Sequence, residues 1–236
     1  MTAYAYDDKY GFLGNGLFDP QFRSKGYCSE IFEYCRDTLG HRQIGGDGVM
    51  YMMEAFRRWG FTDYHFINTF QYVVQPKLLI NVQNIKDVQS EEDVNKLLKY
   101  DKEVFGFDRS KVLKLMLKSQ SDVEFKIAFD KDLIGNESVV GYGLIRKTLD
   151  QDWFVGPLIA NNEDIARDLF QALVQDKQNQ QIHLISEEIS TKTAKLVEKF
   201  NMKQIMEPKR RRVYINGNPN RSDYDKIYFN MSLGFN

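Results

Sequence analysis

The chain has 236 residues, 42% of them hydrophobic and 14% aromatic, with 32 Lys+Arg against 33 Asp+Glu, a composition that suits one large globular domain or about two small ones. A formal net charge of −1 provides no overall field for nucleic acid or an anionic membrane, and no apolar run reaches the roughly 20 residues of a membrane span. Cys28 and Cys35 fall in what reads as one helix, about 10 Å apart at 1.5 Å per residue and too far to bridge. With His41, His65 and His183 scattered, no zinc spacing exists either. A reducing compartment, the cytoplasm, and a protein without metal are therefore expected.

In chain order, the opening MTAYAYDDKYGF has neither the basic stretch nor the apolar core of a signal peptide. Tyr10 to Phe18 alternates aromatics with glycines and predicts a strand stopped by Asp19-Pro20. Cys28 to Leu39 predicts a helix, with Ile31, Phe32, Cys35 and Leu39 on one face and Gly40 as terminator. His41 to Gly45 reads as a short buried strand. Val49 to Trp59 reads as a second helix ended by Gly60, and Tyr64 to Val74 as a strand. Nine of the 16 glycines lie in the first 60 residues, so this part is expected to be rich in tight turns and close backbone approaches.

Gln75-Pro76-Lys77 is the expected boundary between residues 1–76 and 77–236. Beyond it Leu78 to Ile85 predicts a strand, and Glu91 to Phe105 and Ser110 to Lys118 two helices. Val123 to Phe129, Val139 to Leu149 and Trp153 to Ile159 predict three successive strands. Glu163 to Gln175 (helix), Ile182 to Ile185 (strand) and Thr193 to Phe200 (helix) follow. Arg212 to Ile215 and Lys226 to Leu233 are expected to close the chain as a strand pair. The last β-α-β-α-β of this part echoes the order of the first part.

The sequence Phe18-Asp19-Pro20-Gln21-Phe22-Arg23-Ser24-Lys25-Gly26-Tyr27-Cys28-Ser29 sits between a strand and a helix. A glycine at a helix entry lets backbone approach an anion, whose charge then meets free N–H groups and the positive end of the macrodipole. Arg23 and Lys25 add full charges. Either a pyrophosphate-sized site or a solvated loop accounts for such a turn.

Within it, Arg23-Ser24-Lys25-Gly26-Tyr27-Cys28 resembles the R-x-x-G-x-G/A signature of the GNAT superfamily of acyl-CoA N-acyltransferases, with Cys28 in the last small position. Trp59-Gly60-Phe61 is similar to that family's sequel, in which a Gly-Phe pair ends the next helix. Val155 to Ala160, Phe105 to Ser110 and Tyr224 to Gly234 resemble a branch with two tandem GNAT domains. The resemblance implies an α+β fold with a mixed sheet, a complete domain over 77–236 and a partial one over 1–76, and about 60 further residues before Met1 to complete the latter. It also implies acetyl-CoA as co-substrate, held by Leu17, Phe18, Asp19, Arg23, Ser24, Lys25, Gly26, Tyr27, Cys28 and Ser29, and a small-molecule amine as acceptor. Gly14 and Gly16 would admit a bulge that opens N–H groups to the thioester.

In the second part Ala160-Asn161-Asn162-Glu163-Asp164-Ile165-Ala166 puts Asn161 where the signature has its Arg and Asp164 where it has its Gly. Two acids there suit the helix dipole and repel a pyrophosphate, so this turn reads as a relic. The family's usual acid, a Tyr four residues before the Gly-Phe pair, is replaced by Phe56, and by Val197 in the second part. Asp47, Tyr51 and Glu54 are the substitute catalytic candidates. Against these roles stand helix N-capping by Asp47 and an ordinary amphipathic position for Tyr51.

Lys209-Arg210-Arg211-Arg212 reads as a solvated edge rather than a nucleic-acid patch. Glu187-Glu188 is either a cationic-amine attractor or surface charge. Cys28, at a helix start, is expected to have a lowered pKa. The function expected is N-acetyl transfer to an amine, with a catalytically silent acyl-CoA-binding or scaffold protein as alternative. Pairing through an open edge at Tyr10 to Phe18 makes a homodimer the expected partner state.

Overall fold

A computed structural model describes residues 1–76, 84–119, 122–131, 137–187, 191–205, 210–217 and 223–231. Its strands and helices are β1 (Thr2–Ala5), β2 (Tyr10–Gly14), α1 (Tyr27–Leu39), β3 (Gln43–Val49), α2 (Met53–Arg58), β4 (Thr62–Val73), β5 (Ile85–Asp87), α3 (Glu91–Phe105), α4 (Ser110–Lys118), β6 (Val123–Lys131), β7 (Glu137–Lys147), β8 (Trp153–Ala160), α5 (Glu163–Val174), β9 (Gln181–Glu187), α6 (Thr191–Lys199), β10 (Lys203–Gln204), β11 (Arg210–Ile215) and β12 (Ile227–Phe229). The described chain divides into two compact units, one of residues 1–67 with 210–217 and one of residues 68–205 with 223–231.

The first unit is a mixed sheet in the order β1-β2-β3-β11-β4. β1 and β2 form an antiparallel hairpin from Thr2↔Gly14 to Ala5↔Gly11. Its turn is closed by the Asp7 carboxylate, which accepts from the Lys9 and Tyr10 amides at 2.8 Å each. β2 then runs parallel to β3 from Tyr10↔Gln43 to Leu13↔Gly46, with α1 as the crossover. Helix α1 forms because Phe32, Cys35 and Leu39 recur at helical spacing and are all buried. Leu13, Ile44, Met53, Phe61 and Val213 complete that core. Phe32 stacks on Trp59 at 4.4 Å between ring centroids, which ties α1 to the end of α2.

The second unit places β9, β8, β7, β6 and β5 in that order beside residues 68–73 of β4, with α5 buried along one stripe by Ala166, Leu169, Phe170, Leu173 and Val174. α3 starts with a reciprocal capping box between Ser90 and Asp93. Its far end is held by a buried cluster in which Arg109 donates to both Asp101 oxygens (3.2 and 2.5 Å) and Tyr142 Oη donates to Asp101 Oδ2 (2.5 Å). This is the physical role of the Phe105 to Ser110 motif: a charge pair made tolerable by a third hydrogen-bonding partner.

Several expectations are corrected here. The strand expected over Tyr10 to Phe18 ends at Gly14, because Asn15 takes a left-handed φ of 51° that a ladder cannot continue. β1, unforeseen, covers that strand, so the edge on which a homodimer was expected to form is already paired. The strand expected over His41 to Gly45 runs on to Val49 despite three glycines. At Gly45 the Tyr10 and Phe12 side chains occupy the space a Cβ would need, with Tyr10 Oη only 2.6 Å from its position. The helix expected from Val49 opens as a single 3₁₀ turn, Met50–Met52. Arg212 to Ile215 and Lys226 to Leu233 do not pair with each other: β11 lies between β3 and β4, whereas β12 pairs with β8. The cationic run is therefore a central strand, not a solvated edge. The strand expected over Leu78 to Ile85, apart from residues 84 and 85, and also Lys77, Glu188, Lys209 and residues 232–234, lie outside the described residues.

Candidate functional site

In the first unit β2 stops at Gly14 while its parallel neighbour β3 continues to Val49. The two strands thus part company beyond the Leu13↔Gly46 pair. A cleft of about 910 Å³ lies there, lined by Leu13 to Phe18, by Phe22 to Ser29 and by Asp47, Val49, Tyr51, Phe56, Trp59 and Arg210. Nine of the ten expected cofactor-binding residues line it, Asp19 being the one that does not. Asp19 instead caps the short 3₁₀ turn Pro20–Phe22, its carboxylate accepting from the Gln21 amide at 3.1 Å.

That turn sets up the start of α1. Arg23 Nε donates to the Phe18 carbonyl at 3.0 Å, folding the loop back on itself, and Ser24 adopts a φ of 60°. Gly26, the N-cap of α1, has φ 88°, a left-handed conformation that a side chain would strain by about 1–2 kcal/mol. No atom lies within 4 Å of where its Cβ would stand, so bare backbone faces open cleft. The uncapped amides of the first turn of α1 and the cations of Arg23 and Lys25 share that wall. Such a wall can hold a pyrophosphate by backbone N–H groups, dipole and charge together.

Asp47 and Arg212 form an ion pair at the cleft floor with both side chains 0% exposed. Arg212 donates from Nε to Oδ1 at 2.5 Å and from Nη2 to Oδ2 at 3.4 Å, and from Nη1 to Tyr214 Oη at 3.4 Å. Asp47 caps no helix: the 3₁₀ turn after it has Val49 as its N-cap, with no side-chain bond. Tyr51 stands at the cleft lip, 80% exposed. Glu54 is on the exposed face of α2 and does not line the cleft. Phe56 does line it, edge-on to Trp59 and Phe61 at 5.6 and 5.5 Å, and brings no proton to that wall. For Cys28, burial pushes the thiol pKa up, against a smaller lowering by the N-terminal ammonium. The direction is opposite to the lowering expected at a helix start, because desolvation of the thiol outweighs the nearby positive charge. Arg212 was hidden from sequence reasoning by its place in a basic run. An arginine in a β-branched and aromatic stretch, Arg-Val-Tyr-Ile, was the available signal that it points inward.

The corresponding place in the second unit is differently built. β8 and β9 are also parallel, from Trp153↔Ile182 to Val155↔Leu184. Beyond that point β12 pairs with β8 at Ile159 and Leu158, and the Asn230 amide donates to the Ile185 carbonyl on β9 at 2.8 Å. A strand of the chain itself therefore lies between them. At Gly156 a Cβ would stand 2.0 Å from the Asn230 carbonyl oxygen, so the approach is possible only for glycine. At the start of α5, Asn162 caps the helix by accepting from the Ile165 amide at 3.0 Å, Asp164 pairs with Arg167, and Asn161 accepts from Tyr100 Oη at 2.9 Å. Glu187 is buried and accepts from Asn230 Nδ2 at 3.3 Å. It is thus a packing residue rather than a surface attractor.

Two parallel strands separate over a helix entered by glycine, and a helix start of that kind suits an anion. The family model for the acetyltransferase (GNAT) domain matches residues 97–229, and the chain belongs to the GNAT acetyltransferase family. Among solved structures, a putative acetyltransferase from Pyrococcus horikoshii is similar over 99% of this chain and 74% of its own, at 16% identity and a TM-score of 0.79. A tandem GNAT protein from the clavulanic acid biosynthesis pathway is similar over 89% of this chain and 76% of its own, at 11% identity and a TM-score of 0.60. A GCN5-related N-acetyltransferase from Sphaerobacter thermophilus is similar over 87% and 71%, at 13% identity and a TM-score of 0.57. No curated protein matches. No helix among the described residues is long and apolar enough to cross a membrane, and no group of three metal-ligating side chains occurs among them.

Proposed function

We propose that the protein transfers an acyl group, in the first instance acetyl, from coenzyme A to the nitrogen of a small-molecule amine, and that its donor site is the cleft of the first unit. The observation that carries this reading is Gly26, left-handed at the start of α1 with open cleft before it and Arg23 and Lys25 beside it. The second unit is read as a support that binds no acyl-CoA: β12 lies where a pantetheine arm would pair, and Asn162, Glu163 and Asp164 occupy the helix start. Free thiols at Cys28 and Cys35 fit a reducing, cytoplasmic setting.

Within the cleft, Leu13 to Leu17 offers backbone to the pantetheine and acyl carbonyl, and the α1 start holds the phosphates. The acceptor nitrogen attacks the thioester carbon, the C–S bond breaks, and the nitrogen proton ends on the coenzyme A sulfur through water. Phe56 favours a second reading, a catalytically silent acyl-CoA-binding protein, because that position brings no acid to the leaving sulfur.

Calorimetry with acetyl-CoA on the wild type, Gly26→Glu and Lys25→Glu is the test, with circular dichroism verifying that the variants fold. The proposal expects one binding event in the wild type and a Kd weakened by more than about tenfold in each variant, the equivalent of one lost charge-assisted contact. Absence of binding in the wild type, or unchanged binding in both folded variants, overturns it. Thiol release from acetyl-CoA in the presence of amines separates the enzyme from the silent binder.

A further inference from the structure

Two exposed helix surfaces, α1 in the first unit and α4 in the second, carry one pattern with opposite charge. Counted from Glu30, α1 has acids at the first, fourth and eighth positions (Glu30, Glu33, Asp37) and apolar side chains at the second and fifth (Ile31, Tyr34), while the third, Phe32, is buried. Counted from Lys111, α4 has lysines at the first, fourth and eighth positions (Lys111, Lys114, Lys118) and apolar side chains at the second and fifth (Val112, Leu115), while the third, Leu113, is buried. At 3.6 residues per turn the charged positions of each helix form one row, with the apolar pair in a second row beside it. All three acids and all three lysines are exposed; Asp37 also meets Arg36 of its own helix at 3.0 Å. Tyr34 is 75% and Leu115 69% exposed, so each apolar row stands in water beside its charges.

We propose that α1 of one copy of this chain docks on α4 of a second copy, acids against lysines and apolar row against apolar row. On both helices the apolar pair lies on the same rotational side of the charged row. Packed face to face, they therefore match like row with like row only when they run antiparallel, which also sets opposite ends of their dipoles side by side. In that arrangement Glu30 falls opposite Lys118, Glu33 opposite Lys114 and Asp37 opposite Lys111, within about one residue rise, 1.5 Å. The same pairing between two copies of α1 would set acid on acid, and between two copies of α4 lysine on lysine. The contact is thus heterologous, one surface of a copy against a different surface of the next. Exposed ion pairs are weak one by one; a row of three selects the partner and the register, and burial of Tyr34 and Leu115 adds the apolar share. The assignment does not depend on the donor-site reading.

Sedimentation equilibrium of the full chain is the test. A contact two helical turns long is smaller than a permanent interface, so the mean mass is expected to rise with concentration between about 1 and about 200 μM. Association is expected to weaken several-fold from about 50 mM to about 500 mM salt, as exposed charges are screened. Reversing one row, by Glu30→Lys with Glu33→Lys or by Lys111→Glu with Lys114→Glu, is expected to weaken self-association by more than about tenfold. An equimolar mixture of the two reversed proteins is expected to associate to within about threefold of the wild type, because each offers the row that the other lacks. Leu115→Ser is expected to weaken the contact about fivefold through lost apolar burial. All these side chains but Val112 are exposed, and circular dichroism verifies that the variants fold. A wild type that stays monomeric over the whole range, association that neither reversal weakens, or reversed proteins that stay apart on mixing overturns the proposal.

Discussion

Replacing Arg212 by methionine keeps most of the buried volume and takes the guanidinium away from Asp47, whose side chain has 0% of its surface in water. Removing one partner of a fully buried pair costs about 3–5 kcal/mol, because the remaining charge keeps its desolvation penalty and loses its compensation. Here the loss includes two contacts to Asp47, at 2.5 and 3.4 Å, the 3.4 Å contact to Tyr214 and the guanidinium set 5.4 Å from the Phe12 ring centroid, which places the expectation in the upper half of that range. The double variant Asp47→Leu, Arg212→Met removes both charges and is expected to regain all but about 1 kcal/mol, since an apolar pair carries no ionic desolvation. Urea unfolding followed by tryptophan fluorescence measures this. Trp59 is stacked on Phe32 in the first unit, and a Trp153→Phe background silences the other tryptophan. A single-variant loss below about 1 kcal/mol, or a double variant as unstable as the sum of the singles, would refute the argument that Asp47 is tied up as a structural ion.

Titration with acetyl-CoA is expected to saturate at one equivalent per chain; a second equivalent that survives Gly26→Glu would show that β12 leaves room between β8 and β9. Tyr228→Phe is expected to stabilise the protein by about 1 kcal/mol in urea unfolding, because the Tyr228 hydroxyl is buried with no hydrogen-bond partner among the described residues and its removal relieves a desolvation cost. The same variant should flatten the alkaline limb of stability. Burial, aided by Glu163, pushes the Tyr228 phenol from about 10 up to about 12, so its contribution is fully present below pH 10 and is lost as pH rises towards 12. An unaltered alkaline limb would count against that shift.

Elements whose pattern is local were legible in the sequence. Glu91 to Phe105 and Ser110 to Lys118 match α3 and α4 residue for residue, since capping, apolar spacing and a terminal Gly106 agree there. The turn into α1 was legible because Gly26 and its flanking cations are contiguous. What depends on partners distant in sequence was not. The strand expected over His41 to Gly45 stopped short of Gly46 and Gly48, and its continuation to Val49 depends on pairing with the distant segment Arg210–Ile215. The pairing of β11 and the burial of Arg212 depend on Asp47, 165 positions away, and a basic run reads as surface when that partner is unseen. The Asn15 break in β2 was missed because alternation continues in the letters after it has ended in the backbone.

The pair Asp47–Arg212 joins stability to any ligand chemistry in the first unit. β3 carries Asp47 on the side of the cleft, and β11 supplies the arginine that makes its burial tolerable while adding Arg210 to the cleft wall. The strand that follows residues 68–205 of the second unit in sequence is thus part of the first unit's site. Loss of residues 210–217 alone would strip β3 of its antiparallel neighbour and Asp47 of the Arg212 guanidinium together. The penalty of several kcal/mol for a buried carboxylate that loses its ion-pair partner is comparable to the stability of a whole small domain. A chain shortened there is therefore expected to lose acetyl-CoA binding through the unfolding of the first unit, seen as loss of the Trp59 signal, even though residues 1–67 with the entire Arg23 to Ser29 turn remain. Retained binding with an intact Trp59 signal would show that the turn alone suffices and that the buried pair is dispensable.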